Sequence, residues 1–339
     1  MSDPEELASL VSKLRPHLRN VIGVTIGKGG EGKTTVSTNI AYMLADQQRM
    51  KAEEGKSAKP ILYIELDSNG NGRMDFGILG KEVDDDGLGF VESLTEDKPL
   101  TVAQGVRPYL DMVVSGSHIA DIPTAITKLA DKHSLSAYLM LALLLAQISH
   151  RYRWIILDFS PGDKSIQRLG LAACTHLVSP MKGSDNAVIT GLGTLASLVR
   201  QNRRLNAEVG IAAIVFLGYR KVNEAATSEL VLLREKIHGL LEPTRIPREV
   251  VIEEFIRDGR STATLARNHG MPTKEFALAA AGQLTDQETG ELVSRPRDET
   301  GRLVDPQRPV DMATDYAHVT AAVIRQVLQR NAKLQGAER

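Results

Sequence analysis

Residues 21–44 constrain the fold of this chain more than any other part of the sequence. They begin with β-branched residues at positions 21, 22, 24 and 26, followed by glycines at 27, 29, 30 and 32. After Lys33, Thr34 and Thr35, apolar residues recur at helical spacing. The sequence therefore predicts a buried strand, a glycine-rich turn and a helix in direct succession.

The glycine-rich turn has the spacing Gly-x-x-x-x-Gly-Lys-Thr, which is typical of a loop that wraps a phosphate chain. Glycine backbones approach phosphate oxygens closely, and the amide groups at a helix start favour an anion. Lys33 is predicted to reach the β- and γ-phosphates, and the Thr34 hydroxyl to coordinate Mg²⁺. The alternative is a glycine-rich turn without a ligand. The predicted nucleotide-binding residues of the loop are Gly27, Lys28, Gly29, Gly30, Glu31, Gly32, Lys33, Thr34 and Thr35.

A second lysine, Lys28, follows the first glycine directly, although the general phosphate-loop pattern does not require it. With this lysine, the loop resembles the deviant Walker A motif of the ParA/MinD family of P-loop ATPases. In that family the extra lysine crosses a dimer interface and contacts the nucleotide of the partner. The resemblance implies ATP and Mg²⁺ as cofactors, catalytic roles for Lys28 and Lys33, and a homodimer that forms on ATP. The alternative for Lys28 is a solvated loop lysine.

A second apolar run, residues 61–66, leads into acidic residues and a polar loop that contains glycine. It resembles switch I of the family, where two aspartates precede Pro-Gln-Gly-Asn. Asp67 matches the second aspartate, which implies a catalytic role in positioning water and the metal shell. The alternative is an aspartate that only initiates a turn. Glu65 stands where the first aspartate is usual, and Ser68 and Asn69 replace proline and glutamine, so the details of switch I stay open.

Residues 154–162 form a hydrophobic run that closes on Asp158. The run resembles the Walker B motif leading into switch II, which implies that Asp158 holds Mg²⁺ through water. Ser160 replaces the first proline of the family pattern. Fainter resemblances add two predicted nucleotide contacts, Pro180 at a strand end and Pro247 in a segment that usually borders the adenine.

Short β-branched runs alternate with helical segments along the chain, which predicts an α/β fold. The expected architecture is a doubly wound, mostly parallel sheet with helices on both faces and nucleotide at the carboxyl ends of the strands. A length of 339 residues suits one large domain with a substantial core. Strands are predicted near residues 21–26, 61–66, 112–115, 155–159, 177–179, 211–217 and 244–246.

Residues 20–339 are predicted to be one P-loop ATPase domain, and residues 1–19 a short helical extension. Residues 47–60 are charged and lack apolar periodicity, which predicts a long loop. A surface insertion is expected at about 283–310, where Glu-Thr-Gly-x-Leu-Val occurs twice. Each copy is typical of a turn with a short strand, so a small surface hairpin is expected, followed by a C-terminal helix.

The net charge is −1, so any contact with DNA must come from a local basic patch. The single cysteine, Cys174, excludes a disulfide framework and iron–sulfur relatives that need cysteine pairs, and we expect it to be buried. The start of the chain is acidic, and the longest apolar run, residues 135–148, is too short to span a membrane and is predicted to be a buried helix. We therefore expect a cytoplasmic protein.

Resemblance to ParA implies an ATPase that dimerises on ATP, binds DNA without sequence preference and associates with the nucleoid. A centromere-binding, ParB-like partner would stimulate a slow basal hydrolysis, and the cycle would segregate plasmid or chromosomal DNA. Basic residues clustered on the dimer face would contact the DNA. The candidates are Arg200, Arg203, Arg204, Arg220, Lys221, Arg234, Lys236, Arg257 and Arg260.

Two alternatives stay open. A ParA-like ATPase can position a protein cargo by the same nucleoid-binding cycle, and the sequence does not separate this from DNA partition. A MinD-like ATPase cycles on membranes through a C-terminal amphipathic helix. The last helix here is rich in valine and alanine and lacks phenylalanine and tryptophan. We therefore expect its apolar stripe to pack on the domain, and we expect no membrane partner.

Overall fold

The computed structural model describes residues 4–25, 32–96, 98–160, 162–181, 185–219, 251–257 and 260–337. Within these residues, eight strands form a single sheet. The strands are β1 (Val21–Val24), β2 (Ile61–Leu66), β3 (Ala103–Arg107), β4 (Leu110–Val113), β5 (Trp154–Phe159), β6 (His176–Met181), β7 (Gly210–Tyr219) and β8 (Val251–Arg257).

The strand order across the sheet is β3-β4-β2-β5-β1-β6-β7-β8. Every neighbouring pair is parallel except β3–β4, which is antiparallel and forms one edge. The predicted mostly parallel, doubly wound sheet is therefore confirmed. The described helices are α1 (Pro4–Leu14), α2 (Lys33–Glu53), α3 (Asn71–Asp75), α4 (Leu88–Thr95), α5 (Ile122–His133), α6 (Met140–Ile148), α7 (Lys164–Ala173), α8 (Asp185–Gln201), α9 (Arg260–Asn268), α10 (Thr273–Ala280) and α11 (Gln307–Ala337).

Helices cover both faces of the sheet, and strand side chains alternate between two cores. In β5, Ile155 and Leu157 join the core under α1 and α4–α8, whereas Trp154 and Ile156 join the core under α2 and α11. Because both faces are covered, the central strands are apolar along their whole length, which explains why they were recognisable in the sequence. Cys174 lies buried in the first of these cores, as predicted.

Strands β1, β2, β4, β5, β6 and β7 lie at or next to their predicted positions. Two strands were not predicted. Strand β3 is a short edge strand that contains a glycine and exposed residues, so it lacks the apolar signature of a buried strand. Strand β8 begins four residues after Pro247, inside the segment that resembles the region bordering the adenine. The predicted strand at 244–246 falls outside the described residues.

The loop predicted for residues 47–60 is wrong for its first half, because α2 continues to Glu53. Ion pairs within the helix support these charged turns: Arg49 bonds Asp46 at 2.7 Å and also pairs with Glu53. Gln48 is buried and accepts a hydrogen bond from the Lys59 backbone at 3.3 Å. Spacings of three and four residues between opposite charges extend the helix where apolar periodicity ends.

The N-terminal helix α1 rests on the core through partly buried Leu7 and Leu10 and buried Leu14.

The insertion forms two separate turns, each closed by one antiparallel bridge, instead of a single hairpin. Asp286 and Asp298 organise these turns by accepting backbone N–H groups, as aspartate does in tight turns. Among the described helices, none is both long and apolar enough to cross a bilayer.

Candidate nucleotide site

Three adjacent strands, β2, β5 and β1, bring the predicted site residues to one edge of the sheet. Lys33 and Thr34 begin the helix that follows β1, Asp67 follows β2 directly, and Asp158 is the penultimate residue of β5. Carboxyl ends of parallel strands meet at one edge, and ligands of such sheets bind there, where the strand order reverses. The fold therefore places Lys33, Thr34, Asp67 and Asp158 around one location.

The described end of the phosphate loop has the backbone that its sequence requires. Gly32 has φ +75°, which favours glycine, and a Cβ there would lie 2.7 Å from Leu217 Cδ1, so that leucine side chain would have to shift. Helix α2 starts at the next residue, Lys33, whose side chain is almost fully buried. Residues 27–31 of the predicted loop, with Lys28, lie outside the described residues.

Asp158 is a fully buried carboxyl at the centre of the site. Its Oδ2 accepts a hydrogen bond from the Tyr63 hydroxyl at 3.2 Å. Burial raises the pKa of Asp158 to about 6, although Thr34 and the charge of Lys33 act in the opposite direction. Its Oδ1 is buried and has no hydrogen-bond partner among the described residues, which exclude residues 26–31 of the loop. A buried acceptor without a donor is costly, so this oxygen is suited to a cation or an ordered water.

Glu65 faces Asp158 across the β2–β5 ladder. Its Oε2 accepts hydrogen bonds from the Gly72 backbone N–H at 2.8 Å and from the Ser115 hydroxyl at 2.7 Å. Burial and the neighbouring charge of Asp158 raise the pKa of Glu65 to about 8. Two carboxyls opposed in a dry site resist simultaneous ionisation, so a cation is favoured there.

Asp67 begins a tight turn at the end of β2. Its Oδ1 accepts from both the backbone and the side-chain nitrogen of Asn69, each at 3.0 Å, and its carbonyl accepts from Gly70 at 3.2 Å. The turn-initiating role considered for Asp67 is thus observed. Asp67 also lies at the same edge of the sheet as Asp158. Its predicted role in the metal shell therefore stays a prediction alongside its role in the turn.

The residues present fit a magnesium ion. Hard oxygen donors suit Mg²⁺. Thr34 supplies a hydroxyl, and Asp158 supplies a buried carboxylate oxygen that has no partner in the described part of the chain. In the part of the chain that is described, no three His, Cys, Asp or Glu side chains converge as a metal cage. Mg²⁺ keeps several waters and uses substrate phosphates as further ligands, so it needs few ligands from the protein. Thr34 would bind the ion directly, and Asp158 would bind it through water.

We predict that Asp158→Asn stabilises the metal-free protein. The pKa of Asp158 rises from 3.8 to about 6 on folding, which corresponds to about 3 kcal/mol of lost stability at pH 8. The native state binds the proton more tightly, so stability falls as pH rises from about 4 to 6, and the gain should be smaller at pH 5 than at pH 8. Urea unfolding in chelator at both pH values measures this. No gain at pH 8 would contradict the buried-charge interpretation.

Of the two other predicted nucleotide contacts, the structure describes Pro180 but not Pro247. Pro180 is buried near the end of β6, where the β1 ladder stops after Thr25 donates to the Val178 carbonyl at 3.0 Å. The proline nitrogen has no hydrogen to donate, so Pro180 cannot extend the ladder with β1. Pro247 lies outside the described residues. So do Arg220, Lys221, Arg234 and Lys236 of the predicted DNA-binding set.

The described members of that set do not form one patch. Arg200, Arg203 and Arg204 are exposed at the end of α8. Helix α8 runs back from the end of β6 to the start of β7, so these arginines lie at the amino edge of the sheet. Arg257 ends β8, and Arg260 begins α9, at the opposite edge. The topology thus separates the described candidates by the length of the strands, and their contact with DNA on a dimer face stays a prediction.

Sequence reasoning missed several residues that shape the site. Tyr63 and Ser115 bond the two buried carboxyls, and Glu65 was noted only as a departure from a motif. The sequence did contain a signal for Tyr63 and Glu65. They alternate along β2 with the next odd position, Asp67, so the three side chains share one face. Ser115 carried no such signal, because its contact depends on the pairing of β4 with β2.

Comparison with known proteins agrees with this geometry. Residues 19–211 match a family model described as an AAA domain. The chain belongs to this family, within the ParA/MinD group of P-loop ATPases. A ParA family protein of Chlamydia trachomatis is 25% identical over 73% of this chain and 91% of its own length. The chromosome-partitioning ATPase Soj of Treponema pallidum is 24% identical over 79% and 94%, respectively.

Solved structures share the fold of this P-loop ATPase. Apo McdA from Cyanothece superposes with a TM-score of 0.59 at 17% identity, covering 76% of this chain and 93% of McdA. A Borrelia burgdorferi structure assigned to plasmid partition and bound to AMPPNP gives 0.56 at 15% identity, covering 92% and 99%. Cobyrinic acid a,c-diamide synthase from Mycobacterium smegmatis, with ADP and magnesium, gives 0.54 at 17% identity, covering 74% and 91%.

Proposed function

We propose that this protein is a Mg²⁺-dependent ATPase of the partition type. In this proposal it dimerises on ATP, binds DNA without sequence preference and hydrolyses ATP slowly until a ParB-like partner stimulates it. The observation that carries the proposal is the buried Asp158 carboxylate at the strand end beside Lys33 and Thr34, one oxygen of which has no partner among the described residues. That arrangement suits a magnesium–triphosphate chain and has no use in an inert turn.

Each side chain has a separate role in the proposed reaction. Lys33 neutralises the β- and γ-phosphates, and the Thr34 hydroxyl and Asp158 hold the magnesium ion. The ion, when bound, neutralises charge that develops on the transferred phosphoryl group. Asp67 orients the attacking water, and the Glu65–Gly72 hydrogen bond fixes the loop that carries Asp67. Pro180 and Pro247 are proposed to border the bound nucleotide, and Gly27, Gly29, Gly30 and Glu31 to cradle its phosphates.

The cargo is proposed to be DNA because the named relatives are partition proteins of chromosomes or plasmids. The protein would then act in the cytoplasm, on the nucleoid. The membrane-cycling alternative receives no support from the last helix. Its apolar stripe, Val319, Val323 and Val327, is buried against the sheet, so it does not present a membrane-binding face.

We predict that ATP, but not ADP, drives dimerisation and that Lys28→Ala abolishes it. The lysine is proposed to contact the partner's phosphates, so its removal leaves each monomer able to bind ATP but unable to pair. Light scattering with a non-hydrolysable ATP analogue measures the dimer fraction. Lys81→Ala, at an exposed lysine after α3, is the matched control and should dimerise like the wild type. Equal dimer fractions in Lys28→Ala and the control would remove the cross-interface role.

We predict that DNA binding is ATP-dependent, sequence-independent and steeply salt-sensitive, because arginines neutralise phosphates and release counterions. The two edges of the sheet offer two candidate surfaces, so two double variants are compared: Arg203→Ala with Arg204→Ala, and Arg257→Ala with Arg260→Ala. The pair that contacts DNA should weaken binding equally on unrelated duplexes and reduce the salt slope by about two.

Each outcome of the DNA experiment has a defined meaning. Loss in the first pair places the DNA on the amino edge, and loss in the second pair places it near the nucleotide. An ATP dimer that ignores random duplex DNA at low salt, yet sediments with anionic liposomes, would overturn the partition proposal in favour of a membrane-cycling ATPase.

A further inference from the structure

Helix α3 is joined to two distant helices by hydrogen bonds that meet at Asp75. Arg267 of α9 donates through Nε to Asp75 Oδ1 at 2.5 Å and through Nη2 to Oδ2 at 3.1 Å. The Thr38 hydroxyl of α2 lies 2.9 Å from the same Oδ2. Asp75 is 6% exposed and Thr38 is fully buried. We call these three side chains the Asp75 bridge.

The Asp75 bridge spans two parts of the proposed magnesium site. Thr38 lies one helical turn after Thr34, and its hydroxyl is also 2.8 Å from the Thr34 carbonyl. A hydroxyl has one hydrogen, so Thr38 shares it between the carbonyl of the first turn of α2 and the carboxylate of α3. Asp75 ends the short helix that follows the Asp67 turn. The bridge thus fixes the helix that carries Thr34 against the segment that carries Asp67.

A second link runs parallel to the Asp75 bridge. Asn39 donates to the Thr35 carbonyl at 2.7 Å and accepts from the Thr273 backbone N–H of α10 at 3.0 Å. The end of α3 also touches the α9–α10 turn, since a Cβ on Gly77 would lie 2.7 Å from the Gly270 carbonyl. Helices α9 and α10 therefore hold the first turns of α2 and the end of α3 as one unit.

The chemistry of Arg267 suits a positioning role. A buried carboxylate needs a cation, and a guanidinium bonding both oxygens fixes the angle of the carboxylate as well as its charge. A comparable ion pair, Lys274 Nζ to Asp46 Oδ2 at 2.5 Å, also joins α10 to α2. That pair lies two turns further along α2 than Thr38, so it attaches the helix without touching the turn that carries Thr34.

We propose that Arg267 and Thr38 are positioning residues for the magnesium site and set the position of Thr34 relative to Asp67 through Asp75. This inference rests on the proposed function, because it assigns the support of the same metal site. It adds Arg267 to the residues that shape the metal site. Arg267 lies on a helix that begins 227 positions after Lys33, outside the phosphate loop and both acidic strand ends.

The test measures ATP affinity as a function of Mg²⁺ concentration, with a fluorescent ATP analogue and without hydrolysis. Thr38→Val and Arg267→Lys should raise the Mg²⁺ concentration for half-maximal tight binding about tenfold, as outer-shell changes do. Thr38→Ser keeps the hydroxyl and should restore the wild-type value. Lys274→Met is the matched control and should also keep it. Affinity for the analogue in chelator should be the same for all five proteins.

The outcomes separate this inference from the function on which it rests. If the wild type shows no Mg²⁺ dependence, both are overturned. If the wild type responds to Mg²⁺ but Thr38→Val and Arg267→Lys match Lys274→Met, only the inference is overturned. If Thr38→Ser behaves like Thr38→Val, the hydroxyl contact does not carry the effect and the Asp75 bridge is excluded. Thermal melts in chelator identify any variant that fails to fold, and the remaining variant then decides.

Discussion

Replacing Lys33 with alanine should severely weaken nucleotide binding. The Lys33 ammonium is buried at the start of α2, where its charge already lowers the pKa of Asp158 relative to what burial alone would give. A cation in such a site interacts strongly with phosphate, because little water screens it. We expect ATP affinity to fall about 100- to 1,000-fold, by analogy with the loss of kcat when one preorganised donor to a developing charge is removed. Calorimetric titration with MgATP measures the change.

Lys51→Ala is the matched control for this prediction. Lys51 lies on the same helix, in its last turn, and its side chain is exposed. Its replacement removes the same charge at the far end of α2 and should leave ATP affinity unchanged. If Lys33→Ala folds and binds MgATP as well as Lys51→Ala does, the phosphate-loop assignment is wrong.

The parts of the site that could be predicted are formed by residues that are close together in the sequence. The start of α2 is encoded by Gly32 and Lys33, and the two acidic strand ends by apolar runs that close on Asp67 and Asp158. Each of these signals needs only local structure and the rule that parallel strand ends meet at one edge. The central strands were likewise predictable, because burial on both faces leaves them continuously apolar.

The supporting parts of the site are non-local, and the sequence has no signal for them. Arg267 meets Asp75 across 192 positions of chain, and Ser115 meets Glu65 across 50. Neither contact follows from spacing, since each depends on how α9 and β4 pack against their neighbours. The separation of the described DNA-binding candidates is non-local for the same reason. Charge runs are visible in a sequence, but the edge of the sheet to which a helix returns is set by topology.

Replacing Asp67 should stop hydrolysis while ATP binding persists. The phosphate contacts are proposed to come from the loop and Lys33, whereas Asp67 follows β2, two strands away from β1, and is proposed to orient the attacking water. We expect Asp67→Ala to lower single-turnover hydrolysis at least about 100-fold, a typical contribution of a positioned base. The ATP-bound dimer should then accumulate, and light scattering after addition of MgATP should show it persisting while the wild-type dimer decays.

Two further variants separate this role from the turn that Asp67 also organises. Asp67→Asn retains an oxygen to accept the Asn69 backbone N–H but removes the charge, so it should be as inactive as Asp67→Ala if the carboxylate orients water. Asp286→Ala removes an aspartate of the same turn type from the surface insertion and should hydrolyse ATP like the wild type. Normal turnover by Asp67→Asn would show that the turn alone matters, because an amide supports the backbone but does not supply the negative charge.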